Sequence, residues 1–190
     1  PKGEATGNLE VRTHAQVLKI EHDGQGKVTG VIYADKDGNQ QLQKARIVAV
    51  AGNSIESPRL LLNSASSMFP DGLANSSGQV GKNYMRHMTA SMYAVFPEPV
   101  RFWRGTTMAG IITDESIHDP SRGFVGGYEL ETLALGIPFM AAFLDPGGWG
   151  RSFTGALDMY ENMAGLWIVG EDMPQESNGV TLNTDVKDQY

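Results

Sequence analysis

From residue 9 the chain alternates. Leu9, Val11, Thr13, Ala15 and Val17 fall on one side and Glu10, Arg12, His14 and Gln16 on the other, the two-residue period of a half-buried strand. The phase slips by one at Val17, after which Leu18 and Ile20 are apolar and Lys19 and Glu21 polar; a bulge or strong bend near Val17 would absorb the slip. Turn residues at 22–26 (HDGQG) and 35–39 (DKDGN) flank a short strand expected over 28–34, and a third strand begins near Gln41. Together they predict a small antiparallel meander. The pattern then changes. Ile47, Val48, Ala49, Val50 and Ala51 run without polar interruption, which predicts a strand at 45–51 covered on both faces in a parallel sheet. Gly52 ends it, Ser57 stands ready to cap a helix whose first residue is Pro58, and Leu60, Leu61 and Leu62 supply its apolar face.

Farther along, 75–78 (NSSG) reads as a loop, 80–87 as a turn or short helix, and 91–96 as an apolar strand ended by Pro97 and Pro99. Beyond residue 100 the pattern predicts strands at 107–113 and 124–132 and a helix across 138–144. A second helix starts near Arg151, with Phe153, Leu157 and Tyr160 at near-helical spacing, and strands follow at 166–169 and 179–183. A boundary is expected between residues 65 and 80, where the strand-and-helix layer gives way to a mixed sheet with helices.

Composition narrows the function classes. The 190 residues suffice for one good core or two small ones, and 41% hydrophobic against 19% charged content is that of a folding chain rather than a disordered one. A net charge of −7 leaves no basic face to neutralise a phosphate backbone, so nucleic acid is excluded as a partner. The absence of Cys excludes disulfides, thiolate metal sites and a thiol nucleophile while leaving the compartment open. No apolar run approaches the roughly 18 residues of a membrane span. The opening PKGEATGNLE carries neither Met nor a signal pattern and the sequence stops at NTDVKDQY, so a piece from inside a longer protein is expected.

An apolar strand ending in Ala51-Gly52 suits close approach of backbone to a ribose or pyrophosphate, although the same turn also serves plain strand-to-helix geometry. The order of elements is more specific. The strand at 9–20, the meander, the strand at 45–51 and then GNSIESPRLLLNS (52–64) resemble the glucose-methanol-choline (GMC) oxidoreductases, in which a similar strand, Ala-Gly turn and Ser-Pro-x-Leu-Leu helix return the chain to the FAD-binding sheet. The resemblance continues in GLANSSGQVGKNYMRH (72–87) and in GEDMPQESNGVTLNTDVKDQY (170–190), the latter similar to the bacterial branch acting on sugars, sugar acids and related polyols.

This resemblance implies an α+β fold: part of an α/β FAD-binding domain with a β-meander (1–70), joined to a mixed antiparallel sheet with helices of the substrate domain (71–190). It also implies FAD as cofactor. The main chain of Val17 is expected at the adenine, and Ala51, Gly52 and Asn53 at the turn passing near the dinucleotide. The family's strand-Gly-x-Gly-x-x-Gly-helix unit is missing from this sequence, and Gly78-Gln79-Val80-Gly81 lacks the preceding strand and third glycine needed to replace it. The family's active-site His lies beyond residue 190. The expectation is therefore the central fragment of an FAD-dependent dehydrogenase or oxidase, which takes hydride from an alcohol, sugar or sugar acid to flavin N5. Its catalytic base lies outside this chain, so the chain alone should bind FAD weakly or not at all and show no turnover.

Other candidates carry less chemistry. His14, His22 and His118 are explained by surface positions, and His87 by a structural role at a domain junction. No spacing resembles a metal site, and Ser57 precedes Pro rather than sitting in Gly-x-Ser-x-Gly. Glu129 with Glu131 and Glu171 with Asp172 could be read as acid and base, yet a solvated strand face and a strand-end turn explain them better. Phe139, Met140, Phe143, Trp149, Tyr160 and Trp167 fit either a substrate cavity or plain core. Asn75-Ser76-Ser77 would be a glycosylation sequon only in an exported eukaryotic protein. The competing reading is a self-contained, non-catalytic α+β binding or assembly module, which predicts a closed core. The enzyme reading instead predicts that 45–51 lacks parallel neighbours and exposes apolar surface, or pairs with a second copy to make a homo-oligomer.

Overall fold

The computed structural model describes residues 2–134, 136 and 145–189. The fold is α+β, with helices beside two antiparallel sheets, and the chain divides into two compact units. One runs to Tyr84 and resumes at Pro174; the other is Met85–Met173.

In the first unit β1 (Gln16–His22), β2 (Val28–Ala34) and β3 (Gln40–Lys44) form a meander in that order. The expected slip is present: Val17 pairs with Tyr33 and Lys19 with Ile32, so Leu18 is the extra residue of a bulge. The two turns are built alike. Asp23 Oδ1 accepts the N–H groups of Gln25 and Lys27 (2.9 Å each), and Asp35 Oδ1 those of Asp37 (3.0 Å) and Asn39 (2.9 Å). Gly26 and Gly38 take the left-handed φ of +79° and +82° that closes each. These bonds hold the Asp23 carboxyl below the usual carboxylate range, through Lys27 first and Gln25 second.

Three sequence expectations change in this unit. Residues 8–15 carry no strand, and Leu9 and Val11 are exposed: alternation is present, but among the described residues no strand pairs with this stretch. Residues 45–51 form no ladder either, and Ile47 is 86% exposed. An apolar run becomes a strand only when another strand takes up its backbone groups, and among the described residues none does so here. The helix, α1 (Asn53–Asn63), starts earlier than expected, with Pro58 inside it. Asn53 is the reason. Its Oδ1 accepts the N–H groups of Ile55 (2.8 Å) and Glu56 (3.1 Å), the bonding of a cap, while Ser57 Oγ accepts from Gly52 N–H (3.0 Å). Pro58 offers no N–H to the carbonyl of Ser54, a loss that close to the helix start leaves the remaining turns intact.

Ser64 closes this unit. It is fully buried, donates to Leu60 O (2.7 Å) and accepts the Ile20 N–H (2.9 Å), tying the end of α1 to β1. Ile20, Ala34 and Leu73 are the buried apolar side chains of this unit among the described residues. The strand expected at 179–183 is instead an irregular crossing. Val180 N–H donates to Gly81 O (2.6 Å) and Tyr84 N–H to Asn178 O (2.9 Å), and a Cβ on Gly81 would run into Val180 O. Two bonds at a crossing of glycines hold the backbones together without making a ladder.

In the second unit β4 (Met88–Val95), β5 (Ile111–Ile112), β6 (Tyr128–Thr132) and β7 (Met163–Gly170) form an antiparallel sheet in the order β4-β7-β6-β5. The strands expected at 107–113 and 124–132 shorten to β5 and β6, whereas that at 166–169 extends back to Met163. The expected helix near Arg151 is α2 (Gly150–Asp158). The helix expected at 138–144, with Phe139, Met140 and Phe143, lies outside the described residues. Met163, Leu133 and Ala134 are buried, and the Tyr93 ring lies against Gly165, where a Cβ would meet it at 2.5 Å.

Candidate functional site

A cleft of about 450 Å³ in the first unit brings together the bulged start of β1, the stretch 45–51 and the first turns of α1. Val17, Ala51 and Gly52 all line it. Asn53 does not; its side chain is occupied as the α1 cap. The left-handed φ at this turn also belongs to Asn53 (+69°), while Gly52 has φ −91°, open to any residue. Asn adopts this conformation because its short amide bonds locally. Room at 52 is tight: a Cβ would stand 3.3 Å from Glu56 Cβ and 3.4 Å from Ser57 N, so the Glu56 side chain would have to give by a few tenths of an ångström.

Sequence reasoning missed the helix side of this cleft, namely Glu56, Arg59, Leu60 and Asn63. Their spacing of three and four residues is the signature of one helix face and was available to be read. The Arg59 guanidinium bridges two carboxylates, with Nη1 to Glu56 Oε2 at 3.0 Å and Nη2 to Asp188 Oδ2 at 2.6 Å. Asp188 first and Glu56 second hold Arg59 more firmly protonated than an isolated arginine. Arg59 and Asn63 also line a second, more polar cleft of about 520 Å³, whose other wall is the segment 181–188.

The histidines divide. His14 is exposed, and His118 Nδ1 accepts from Gly126 N–H (3.2 Å). His22 is half-buried, so a surface position does not account for it: Nδ1 bonds Asp23 O and Nε2 bonds Ser66 Oγ (2.8 Å each), and its ring meets Phe69 edge-on at 5.0 Å. His87 lines a recess of about 200 Å³ in the second unit with Glu129 and Glu171, and Glu171 Oε2 accepts the Gly127 N–H (3.0 Å). Glu129 and Glu131 share one face of β6, opposite Val169 and Trp167 of β7, and are half-buried. Trp149 is 84% exposed and Tyr160 packs on Trp103 (5.5 Å). Among the described residues no group of three or more His, Asp or Glu could hold a metal ion, and no helix is long and apolar enough to cross a membrane.

Comparison with known proteins supplies the context. The family model described as GMC oxidoreductase matches residues 2–89. A 2-methyl-1,2-propanediol dehydrogenase of Mycolicibacterium austroafricanum is 37% identical over 94% of this chain and 34% of its own length. The fructose dehydrogenase large subunit of Gluconobacter japonicus is 28% identical over 98% of the chain and 35% of its own. The gluconate 2-dehydrogenase flavoprotein of Pantoea cypripedii is 26% identical over 96% and 31%. The chain thus spans about a third of the length of these relatives. The match at 2–89 covers the meander, the turn and α1, the elements that build the cleft, and the relatives extend the likeness along nearly all of the sequence: the chain belongs to the GMC oxidoreductase family.

Proposed function

We propose that this chain is the central part of an FAD-dependent oxidoreductase that oxidises an alcohol, a sugar or a sugar acid, and that its own share of the work is to wall the adenine end of the cofactor site and to carry the substrate-side sheet. The observation behind this reading is the convergence of Val17, Ala51 and Gly52 on one cleft, when the resemblance had singled them out from positions more than thirty residues apart. In this reading 1–70 belongs to the cofactor-binding domain, and within 71–190 it is Met85–Met173, with the β4-β7-β6-β5 sheet as its platform, that contributes to the substrate domain, while 71–84 and the residues from Pro174 onward group with the first unit.

The family is FAD-dependent, and the residues present fit one end of that cofactor. A cleft of about 450 Å³ lies in the size range of small-molecule pockets, its walls from 45–51 are mostly apolar, and β1 is an edge strand whose outer side meets no other strand among the described residues. They suit a flat heteroaromatic group stacked on apolar backbone. Asn53, for its part, positions the turn by capping α1 and makes no wall of the cleft. Bound FAD would supply the acceptor for the substrate's hydride. This chain's residues hold and orient the adenosine portion.

The exposure of Ile47 favours this reading over a self-contained binding module, because a closed core would have covered it. Expression of residues 1–190 tests the proposal: little or no flavin should copurify, and no dye-linked oxidation of alcohols or sugars should be measurable. Stoichiometric flavin together with turnover in this chain would overturn it.

A further inference from the structure

We propose that Arg59 is a positioning residue that couples the cofactor cleft to the segment 181–188; this rests on the cofactor reading above and adds to it a second element that responds to occupancy. Arg59 and Asn63, one turn apart on α1, line both the cleft that holds Val17 and Gly52 and the polar cleft walled by 181–188. The side chain that lines the cofactor cleft ends in the guanidinium that grips Asp188 at 2.6 Å. Glu56, one turn earlier, takes the other arm of the fork at 3.0 Å and fixes its direction.

The coupling has a physical source. An arginine side chain is long and flexible, and each partner that orders it must overcome its rotamer freedom. A ligand packed against the Arg59 stem in the cofactor cleft removes that freedom once, so the bond to Asp188 then forms against a smaller entropic opposition. The effect is reciprocal: fastening 181–188 to α1 presents an ordered wall to the ligand. Arg59 and Asp188 are both partly exposed, which limits the effect to about a two- to fivefold change in local opening.

The test is hydrogen exchange on the flavoenzyme that contains this chain, as apoprotein and loaded with FAD. In the wild type, FAD should slow exchange both at the cleft walls (16–18 and 45–52) and across 181–189. With FAD at concentrations that saturate both proteins, Arg59→Gln should still show slowing at the walls and lose that of 181–189 by about two- to fivefold. Arg59→Lys should recover part of it, and Glu56→Gln, which leaves the bond to Asp188, most of it. A clamp that merely held the fold together would raise exchange of 181–189 equally with and without FAD, and that result overturns the coupling. Slowing of 181–189 that persists in Arg59→Gln overturns it as well, with the cofactor site intact. If FAD leaves the cleft walls of the wild type unprotected, the cofactor reading fails and the coupling falls with it, and that outcome is distinguishable from the other two.

Discussion

Replacing Ser64 by Ala should destabilise the first unit out of proportion to the single oxygen removed. Ser64 Oγ is the acceptor for the Ile20 N–H at 2.9 Å, and Ile20 is only 3% exposed, so water cannot take the oxygen's place. The other bond of the hydroxyl matters less. Leu60 O, to which it donates, also accepts the Ser64 backbone N–H at 3.0 Å and keeps that partner in the variant. The loss therefore reduces to one orphaned buried donor, about 1–3 kcal/mol. Against a total stability of about 5–15 kcal/mol this lowers the folded-to-unfolded ratio roughly 5- to 150-fold. Equilibrium urea unfolding should show the midpoint falling at unchanged m-value, because the surface exposed on unfolding is the same. The Ile20 amide should lose exchange protection more than its strand neighbours. Ser66→Ala is the control: its oxygen serves His22 Nε2 and the Phe69 N–H in a half-buried setting, and a loss of about 0.5–1.5 kcal/mol is expected there. A loss below about 0.5 kcal/mol for Ser64→Ala, or an Ile20 amide as protected as before, would refute the claim that this hydroxyl ties helix to sheet.

Three further outcomes are expected. Gly81→Ala places a side chain at φ +85° and against Val180 O; a loss of about 2 kcal/mol or more and faster proteolytic nicking in 176–184 should follow, and an unchanged melting temperature would rule the crossing out as a structural constraint. Asp23 has its folded carboxyl held below the usual value of 3.8, so its contribution is complete above that value and disappears as pH falls through the lower folded one. Asp23→Asn should accordingly flatten the acid limb of a stability profile below about pH 4, leaving the neutral region with a constant offset. Ile47→Lys should suppress any concentration-dependent association of the 190-residue chain in sedimentation velocity, since it charges the most exposed large apolar residue of the unpaired stretch; association that survives the change must use another surface.

The sequence revealed those parts of the fold whose causes are local. The meander was legible because two-residue alternation, an Asp at the head of each turn and a Gly at its close all act within a few residues, and even the bulge beside Val17 showed as a slip of phase. The stretch 45–51 was misread because apolar content marks what a strand buries, whereas a ladder depends on strands elsewhere. The start of α1 differs because Ser57-Pro58 is the commoner opening, and nothing in the composition says that Asn53 will accept a left-handed φ and cap four residues earlier. Of the candidate site, Val17, Ala51 and Gly52 were found through resemblance. The place of Arg59 on the cleft-lining face of α1 is legible in its spacing, but its bond to Asp188 is not, because the two are 129 residues apart and pattern has no reach over that distance.

The separation between Lys44, where the meander ends, and Ser64, which locks α1 onto it, also sets a clock. Hairpins closed by short turns form in about 1–10 μs, whereas synthesis adds about 5–20 residues per second. The three strands are thus complete while the nascent chain still has about twenty residues to emerge before Ser64 can reach Ile20, an interval of about one to four seconds. Throughout it, Ile47 and its apolar neighbours hang from a finished sheet with no helix behind them. This is the moment at which a holdase chaperone has most to protect, and one at which slow codons would lengthen the hazard.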